Sequence, residues 1–132
     1  MGYYSEVHIA VAFTNEADLK EVMAVYAMDP RVQKHDLLKD WELMENNVLY
    51  LHYDYTKWYD SYEDVQGCEY LMELVEAFHE ERDMPFAYYF VRIGEEDADM
   101  ERNGQHGRED GELLEMLWDR MEVVRTVKVN FS

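Results

Sequence analysis

The sequence has a single cysteine, two prolines and few basic residues. A lone Cys68 excludes both an intrachain disulfide and a zinc site built from several cysteines. No apolar run approaches the length of a membrane span. The first residues also lack the basic region and apolar stretch of a secretory signal. We therefore expect a cytoplasmic protein that does not associate with membranes.

Acidic residues dominate the charge of the chain. Among 132 residues, 30 are Asp or Glu and 12 are Lys or Arg, which gives a formal net charge of −18. Apolar residues still make up 48% and aromatic residues 14%, so the composition predicts a folded chain with a real core. The length fits one domain, residues 1–132. The negative field argues against direct binding of nucleic acid or anionic membranes.

The first half of the chain alternates strand and helix patterns. Apolar alternation predicts a mostly buried strand over residues 7–13. Thr14 and Asn15 then offer helix caps, and apolar residues recur at helical spacing until Pro30. Residues 46–47, both asparagine, separate two apolar runs and tolerate positive φ. They therefore predict a hairpin.

A second helix is predicted after Ser61, which with Asp64 resembles a capping box. Its predicted inner face is apolar and consists of Val65, Cys68, Leu71, Met72, Val75 and Phe78. Because an apolar site raises the pKa of a thiol, we interpret Cys68 as buried filler rather than as a nucleophile.

The second half of the chain begins with an aromatic and β-branched run over residues 86–93, which predicts a strand. The Gly-rich acidic segment 94–112 predicts an exposed loop, followed by a short helix over 113–118 and a last strand over 121–131. The order β-α-β-β-α-β predicts an α+β, ferredoxin-like split βαβ fold with these three additions. Whether the last strand pairs within the chain or across a homodimer stays open.

Indications of catalytic or metal chemistry are weak. His52 and Asp54 alternate on one predicted strand and could supply two metal ligands, but the sequence implies no third. We therefore assign no catalytic residue, no metal and no cofactor. An enzyme site on the open face of the sheet around His52, Tyr88 and Arg92 is a third hypothesis, and it lacks an identifiable nucleophile or acid–base pair.

The acidic segment gives the main alternative function. Asp99, Glu101 and Asn103-Gly104, followed by Asp110, echo the ligand spacing of a calcium loop. Glu101 and Asp110 depart from the usual ligands at their positions, and a strand rather than a helix precedes the segment. The alternative is a small ligand- or metal-binding regulatory protein that uses the loop 94–112.

The arrangement of acidic residues on the second helix favours another function. Glu69, Glu73, Glu76 and Glu80 step by four, three and four residues, so they form one stripe about 16 Å long. A second acidic block follows the aromatic strand and consists of Glu95, Glu96, Asp97, Asp99 and Glu101. The simplest interpretation of these charges is a solvated face. The more specific interpretation is a docking surface for a basic partner.

The aromatic strand and the acidic residues after it carry a resemblance. The run from Tyr88 to Glu96, in the last half of a small acidic α+β chain, is similar to small uncharacterised acidic proteins of tailed bacteriophages. Some such proteins blunt host defence enzymes by imitating DNA. Our leading hypothesis is accordingly a non-enzymatic DNA mimic that would block a basic, nucleic-acid-binding site on a host protein.

Overall fold

A computed structural model describes residues 4–95 and 100–107 of the chain. These residues form five strands and three α-helices, which confirms the predicted α+β class. In chain order they are β1 (Ser5–Ala12), α1 (Glu16–Tyr26), α2 (Pro30–Lys34), β2 (Trp41–Met44), β3 (Val48–Thr56), α3 (Glu63–Arg82), β4 (Phe86–Gly94) and β5 (Met100–Gly107). A 3-10 turn, Leu37–Asp40, precedes β2. The predicted helix 113–118 and strand 121–131 lie outside the described residues.

The five strands form one antiparallel sheet with the order β2-β3-β1-β4-β5. Strand β1 lies at the centre, where His8 pairs with His52 of β3 on one side and with Val91 of β4 on the other. Every residue of β1 is buried, which confirms the predicted mostly buried strand. Strand β1 is buried because it has paired neighbours along both edges and contributes side chains to a core cluster on each face of the sheet.

All three helices pack on one face of the sheet, here called the helix face. The main core cluster joins Val7, Ile9 and Val11 of β1 to residues of α1, α2 and α3. The predicted inner face of α3 is confirmed, because its first five residues are buried and Phe78 packs partly buried against them. On the opposite side, here called the far face, a second buried cluster contains Ala10, Ala12, Val48, Ala87, Tyr89 and Val91.

Local turn and cap chemistry confirms two predictions and corrects a third. The side chain of Asn15 accepts a hydrogen bond from the Asp18 amide and caps α1. The two asparagines at 46–47 both adopt positive φ, of 64° and 59°, as the hairpin requires. The capping box at Ser61 is wrong, because α3 begins one residue later and its N-cap, Tyr62, makes no side-chain cap.

The predicted loop 94–112 is wrong over residues 100–107, which form β5 and pair with β4, but the predicted exposure is confirmed for residues 100–103 and 105. The composition suggested a loop because the segment is acidic and glycine-rich. Backbone pairing with the long aromatic strand overrides that preference, since strand propensity depends strongly on the neighbouring strand. Gly104 and Gly107 lie opposite Tyr89 and Phe86, where the large rings of β4 face residues without side chains.

Close packing joins α3 to the segment before β2. A Cβ added to Gly67 would lie 2.5 Å from Leu37 Cδ1, so a larger residue at this position would have to displace the buried Leu37 side chain. Among residues 4–95 and 100–107, no helix is long and apolar enough to cross a membrane.

Candidate functional site

The glutamate stripe of α3 lies on one flank of the helix, as its spacing predicts. Glu73, Glu76 and Glu80 are exposed and Glu69 is half-buried, whereas the apolar residues of the helix point into the core. The stripe spans about 16 Å along the helix axis, at a rise of about 1.5 Å per residue. The structure therefore displays these four charges as an ordered row on a single element.

Carboxylates from two other segments lie beside this row. Burial raises the pKa of Glu69, and the negative charges of Asp60, Glu73 and Glu101 raise it further. Asp60 precedes α3 and Glu101 lies on β5, so a loop, a helix and a strand contribute to one negative field. We call this set, consisting of Asp60, Glu69, Glu73, Glu76, Glu80 and Glu101, the acidic surface.

Neighbouring hydrogen-bond donors offset only part of the negative charge of the acidic surface. Arg92 donates from Nε to Glu101 Oε1 at 3.0 Å and thus offsets one charge. The Tyr88 hydroxyl donates to Glu76 Oε1 at 2.6 Å, which fixes that side chain without neutralising it. Arg31 lies near Glu73 but forms its ion pair with Asp29. The acidic surface therefore keeps a negative balance.

The second predicted acidic block is divided by the fold. Glu101 joins the acidic surface through its place on β5. Glu95 is exposed at the end of β4, where its carboxylate accepts a hydrogen bond from the Tyr4 amide at 3.1 Å. Glu96, Asp97 and Asp99 lie outside the described residues.

Replacement of Glu69 by glutamine is expected to stabilise the protein at pH 7 by about 0.5 kcal/mol, the scale of a like-charge helix pair. The folded state holds the proton of Glu69 more tightly than the unfolded chain does, because its pKa is raised on folding. The charge therefore destabilises the fold above the folded-state pKa, and this penalty disappears below the unfolded value, about 4.3.

Urea unfolding of both proteins at pH 7 and pH 3.5 measures this difference. The gain should be present at pH 7 and absent at pH 3.5. Glu45→Gln, which removes an exposed charge on the β2–β3 hairpin, is the matched control and should change little at either pH. A Glu69→Gln protein that is less stable than the parent at pH 7 would contradict the crowding of charge at this site.

The calcium loop is not compatible with β5. Glu101 and Asn103 lie two residues apart in an extended strand, opposite Arg92 and Phe90 of β4, and Glu101 is bonded to Arg92. A calcium loop must instead curl so that alternate residues converge on one ion. The other two acidic positions of the motif, Asp99 and Asp110, lie outside the described residues.

The proposed enzyme site around His52, Tyr88 and Arg92 is wrong. Tyr88 and Arg92 lie on the helix face, where they bond to Glu76 and Glu101. His52 lies on the far face, stacked on His8. Successive strand residues point to opposite faces, and the pairing of β4 with β1 places the even-numbered residues of β4 towards the helices.

A polar cluster lies on the far face, and the sequence analysis found only its His52 and Asp54. His8 Nε2 lies 2.6 Å from Glu6 Oε2, and His52 Nε2 lies 3.5 Å from the same oxygen and 2.9 Å from Asp54 Oδ1. His8 Nδ1 lies 2.5 Å from the Tyr50 hydroxyl. We call Glu6, His8, Tyr50, His52 and Asp54 the histidine cluster.

The histidine cluster combines a buried and an exposed half. Glu6 and His8 are 7% and 2% exposed, whereas the side chains of His52 and Asp54 are 34% and 81% exposed. Burial lowers the pKa of His8 and so favours the neutral imidazole, although the hydrogen bond to Glu6 acts in the opposite direction. Glu6-x-His8 and His52-x-Asp54 each place two polar groups on one strand face, but only the pairing of β1 with β3 joins them.

The cysteine has no place in either site. Cys68 is buried in the main core, and this burial raises the pKa of its thiol to about 12. The prediction that Cys68 is buried filler with a raised pKa is confirmed.

No protein-family model, curated protein or solved structure matches this chain. The similarity to small acidic bacteriophage proteins therefore stays a prediction.

Proposed function

We propose that this protein is a non-enzymatic binding protein whose acidic surface occupies a basic, nucleic-acid-binding site on another protein. The observation that carries the proposal is the row of glutamates on one flank of α3, in which the charges of Asp60 and Glu101 further raise the pKa of the half-buried Glu69. Solubility does not require such crowding, because a small domain stays soluble at a net charge of about 2–8 in magnitude. Like charges on one helix flank also lower the stability of the fold, and a binding function would explain why the chain keeps them.

The spacing of the charges supports a partner that normally holds a nucleic acid strand. Four glutamates over about 16 Å give roughly one charge per 4–5 Å, close to the charge spacing of about 3.4 Å along one DNA strand. Lys and Arg side chains that contact successive phosphates would meet carboxylates at a similar interval. Electrostatic steering would make the association fast and sensitive to salt.

The fold and origin that fit this function are also part of the proposal. A ferredoxin-like split βαβ arrangement is supported by the strand order β4-β1-β3-β2 and by α1 and α3 on one face. In that arrangement the stripe of α3 lies on a rigid layer beside the sheet. A bacteriophage origin, with action in the host cytoplasm on a defence enzyme, is consistent with the resemblance of Tyr88 to Glu96.

Displacement from duplex DNA tests the proposed function. A bacterial lysate is loaded on a duplex-DNA resin at moderate salt, and the resin is then washed with the purified protein. We expect it to release a small set of DNA-binding proteins, because it would compete for their basic grooves. At each salt concentration, a wash without the protein gives the release caused by salt alone. The additional release caused by the protein should fall as the salt concentration rises.

Polyglutamate at the same concentration of charge is the matched control. It reproduces the net charge of the protein without the ordered surface, so it should not release the same set. If the protein releases nothing, or only what polyglutamate releases, the acidic surface has no specific partner among these proteins and the proposal is wrong.

A further inference from the structure

The histidine cluster brings together ligands that transition metals prefer. Glu6, His8 and His52 each offer one ligand atom, and the three atoms lie within 4.8 Å of one another. Two imidazoles with carboxylates suit zinc and its neighbours in the first transition row, whereas calcium and magnesium prefer oxygen ligands alone. The cluster lies on the far face of the sheet, away from the acidic surface, so it is independent of the proposed docking function.

We propose that Glu6, His8, His52 and Asp54 form a binding site for one divalent transition metal ion of the zinc class. Tetrahedral zinc with ligands at about 2.0–2.1 Å has neighbouring ligand atoms about 3.3 Å apart. The observed separations of 2.6, 2.9 and 3.5 Å lie on both sides of that value. The ligand atoms of Glu6, His8 and His52 therefore already lie close together, whereas the exposed Asp54 carboxylate, 2.9 Å from His52 Nε2, must move with that ring to become the fourth ligand.

The exposed half of the cluster, His52 and Asp54, must move when the ion binds. The rings of His8 and His52 are stacked, with centroids 4.2 Å apart and planes inclined by 10°. The nitrogen lone pairs of two stacked imidazoles point in nearly parallel directions. In the present arrangement they therefore do not converge on one ion. His52 is the more exposed of the two and bonds outward to Asp54, so its ring can tilt while the buried His8 stays in place.

Tyr50 gives the second ring nitrogen of His8 a fixed partner. Its hydroxyl lies 2.5 Å from His8 Nδ1, and a hydroxyl can accept a hydrogen bond as well as donate one. When Nε2 binds the ion, Nδ1 keeps the proton of the imidazole and donates a hydrogen bond to the Tyr50 hydroxyl oxygen. Metal-binding histidines are regularly oriented in this way through their other nitrogen.

The ligand set predicts a structural role for the ion. Four protein ligands fill a tetrahedral zinc site and leave no open position for catalysis. The ligands come from β1 and β3, so the ion would tie the central strand to its neighbour. Access is from the side of His52 and Asp54, which are exposed, whereas Glu6 and His8 hold the ion from within.

Titration with zinc chloride tests this site on the full chain. We expect one ion per chain by calorimetry and a rise in Tm of about 5–10 °C at saturating zinc, because the ion binds only the folded state. His52→Ala should weaken binding at least about 100-fold and abolish the rise in Tm. His52 is part-exposed, so this variant should fold, and circular dichroism without metal checks that it does.

Two controls separate this site from general attraction of cations to an acidic chain. His35→Ala removes a histidine that also lies near a carboxylate, that of Glu63 at 3.3 Å, and it should bind zinc as the parent does. Magnesium chloride at the same concentration should leave Tm nearly unchanged. No zinc binding, equal binding by His52→Ala, or an equal rise in Tm with magnesium would each overturn the proposal.

Discussion

Replacement of Tyr26 by phenylalanine is expected to lower the free energy of unfolding by about 1–3 kcal/mol. The hydroxyl of Tyr26 accepts a hydrogen bond from Trp41 Nε1 and donates one to the Gly67 carbonyl, both at 2.9 Å. Tyr26 is fully buried, so the variant leaves the Trp41 N–H without its acceptor in a water-free site. The hydroxyl joins α1, β2 and α3, and its loss weakens the support beneath the glutamate stripe.

Equilibrium unfolding in urea measures this loss as a lower midpoint with an unchanged slope. Tyr70→Phe is the matched control, because Tyr70 stacks on Tyr26 at the rim of the same cluster and is only partly buried. We expect the control to change the free energy of unfolding by less than about 0.5 kcal/mol. A loss for Tyr26→Phe no larger than that of the control would show that the buried hydroxyl contributes little.

Charge reversal on the α3 stripe has the largest effect expected on binding. The double variant Glu73→Lys, Glu80→Lys should weaken binding to a protein recovered from the duplex-DNA displacement by at least about 100-fold, since it sets like charges against a basic groove. Both side chains are exposed, so the fold should be retained. Glu76 is left in place because Tyr88 donates a hydrogen bond to it.

The matched control reverses two exposed charges on the β2–β3 hairpin, Glu42→Lys and Glu45→Lys. Both double variants raise the net charge by four, so they differ only in where the charge changes. We expect the control to weaken binding less than about threefold, through the long-range field alone. Equal losses for the two variants would mean that total charge, rather than the acidic surface, determines binding.

Much of the fold could be predicted from local patterns in the sequence. The alternation in β1, the asparagines at 46–47 and the helical spacing in α3 each specify structure over a few neighbouring residues. Strand β5 could not be predicted in this way, because its polar and glycine-rich residues are stabilised by pairing with β4. The capping box at Ser61 failed because α3 begins at Glu63, one residue later than the box requires, with Tyr62 as its N-cap.

The same distinction between local and long-range structure applies to the candidate sites. The row from Glu69 to Glu80 follows from helix geometry alone, so the sequence predicted it correctly. The neighbours Asp60 and Glu101 were not assigned to it, because only the tertiary fold brings the loop before α3 and strand β5 close to the helix. The histidine cluster shows the limit most clearly, since Glu6 and His8 are more than 40 residues from His52 and meet it through strand register.

Competition with duplex DNA for an isolated partner tests the central claim most directly. DNA binding to that partner is measured at rising concentrations of this protein. If the acidic surface occupies the nucleic-acid site, the apparent Kd for DNA should rise in proportion to the concentration of the protein, and no complex should contain both. A partner that binds DNA with unchanged affinity while the protein is bound would contradict the claim.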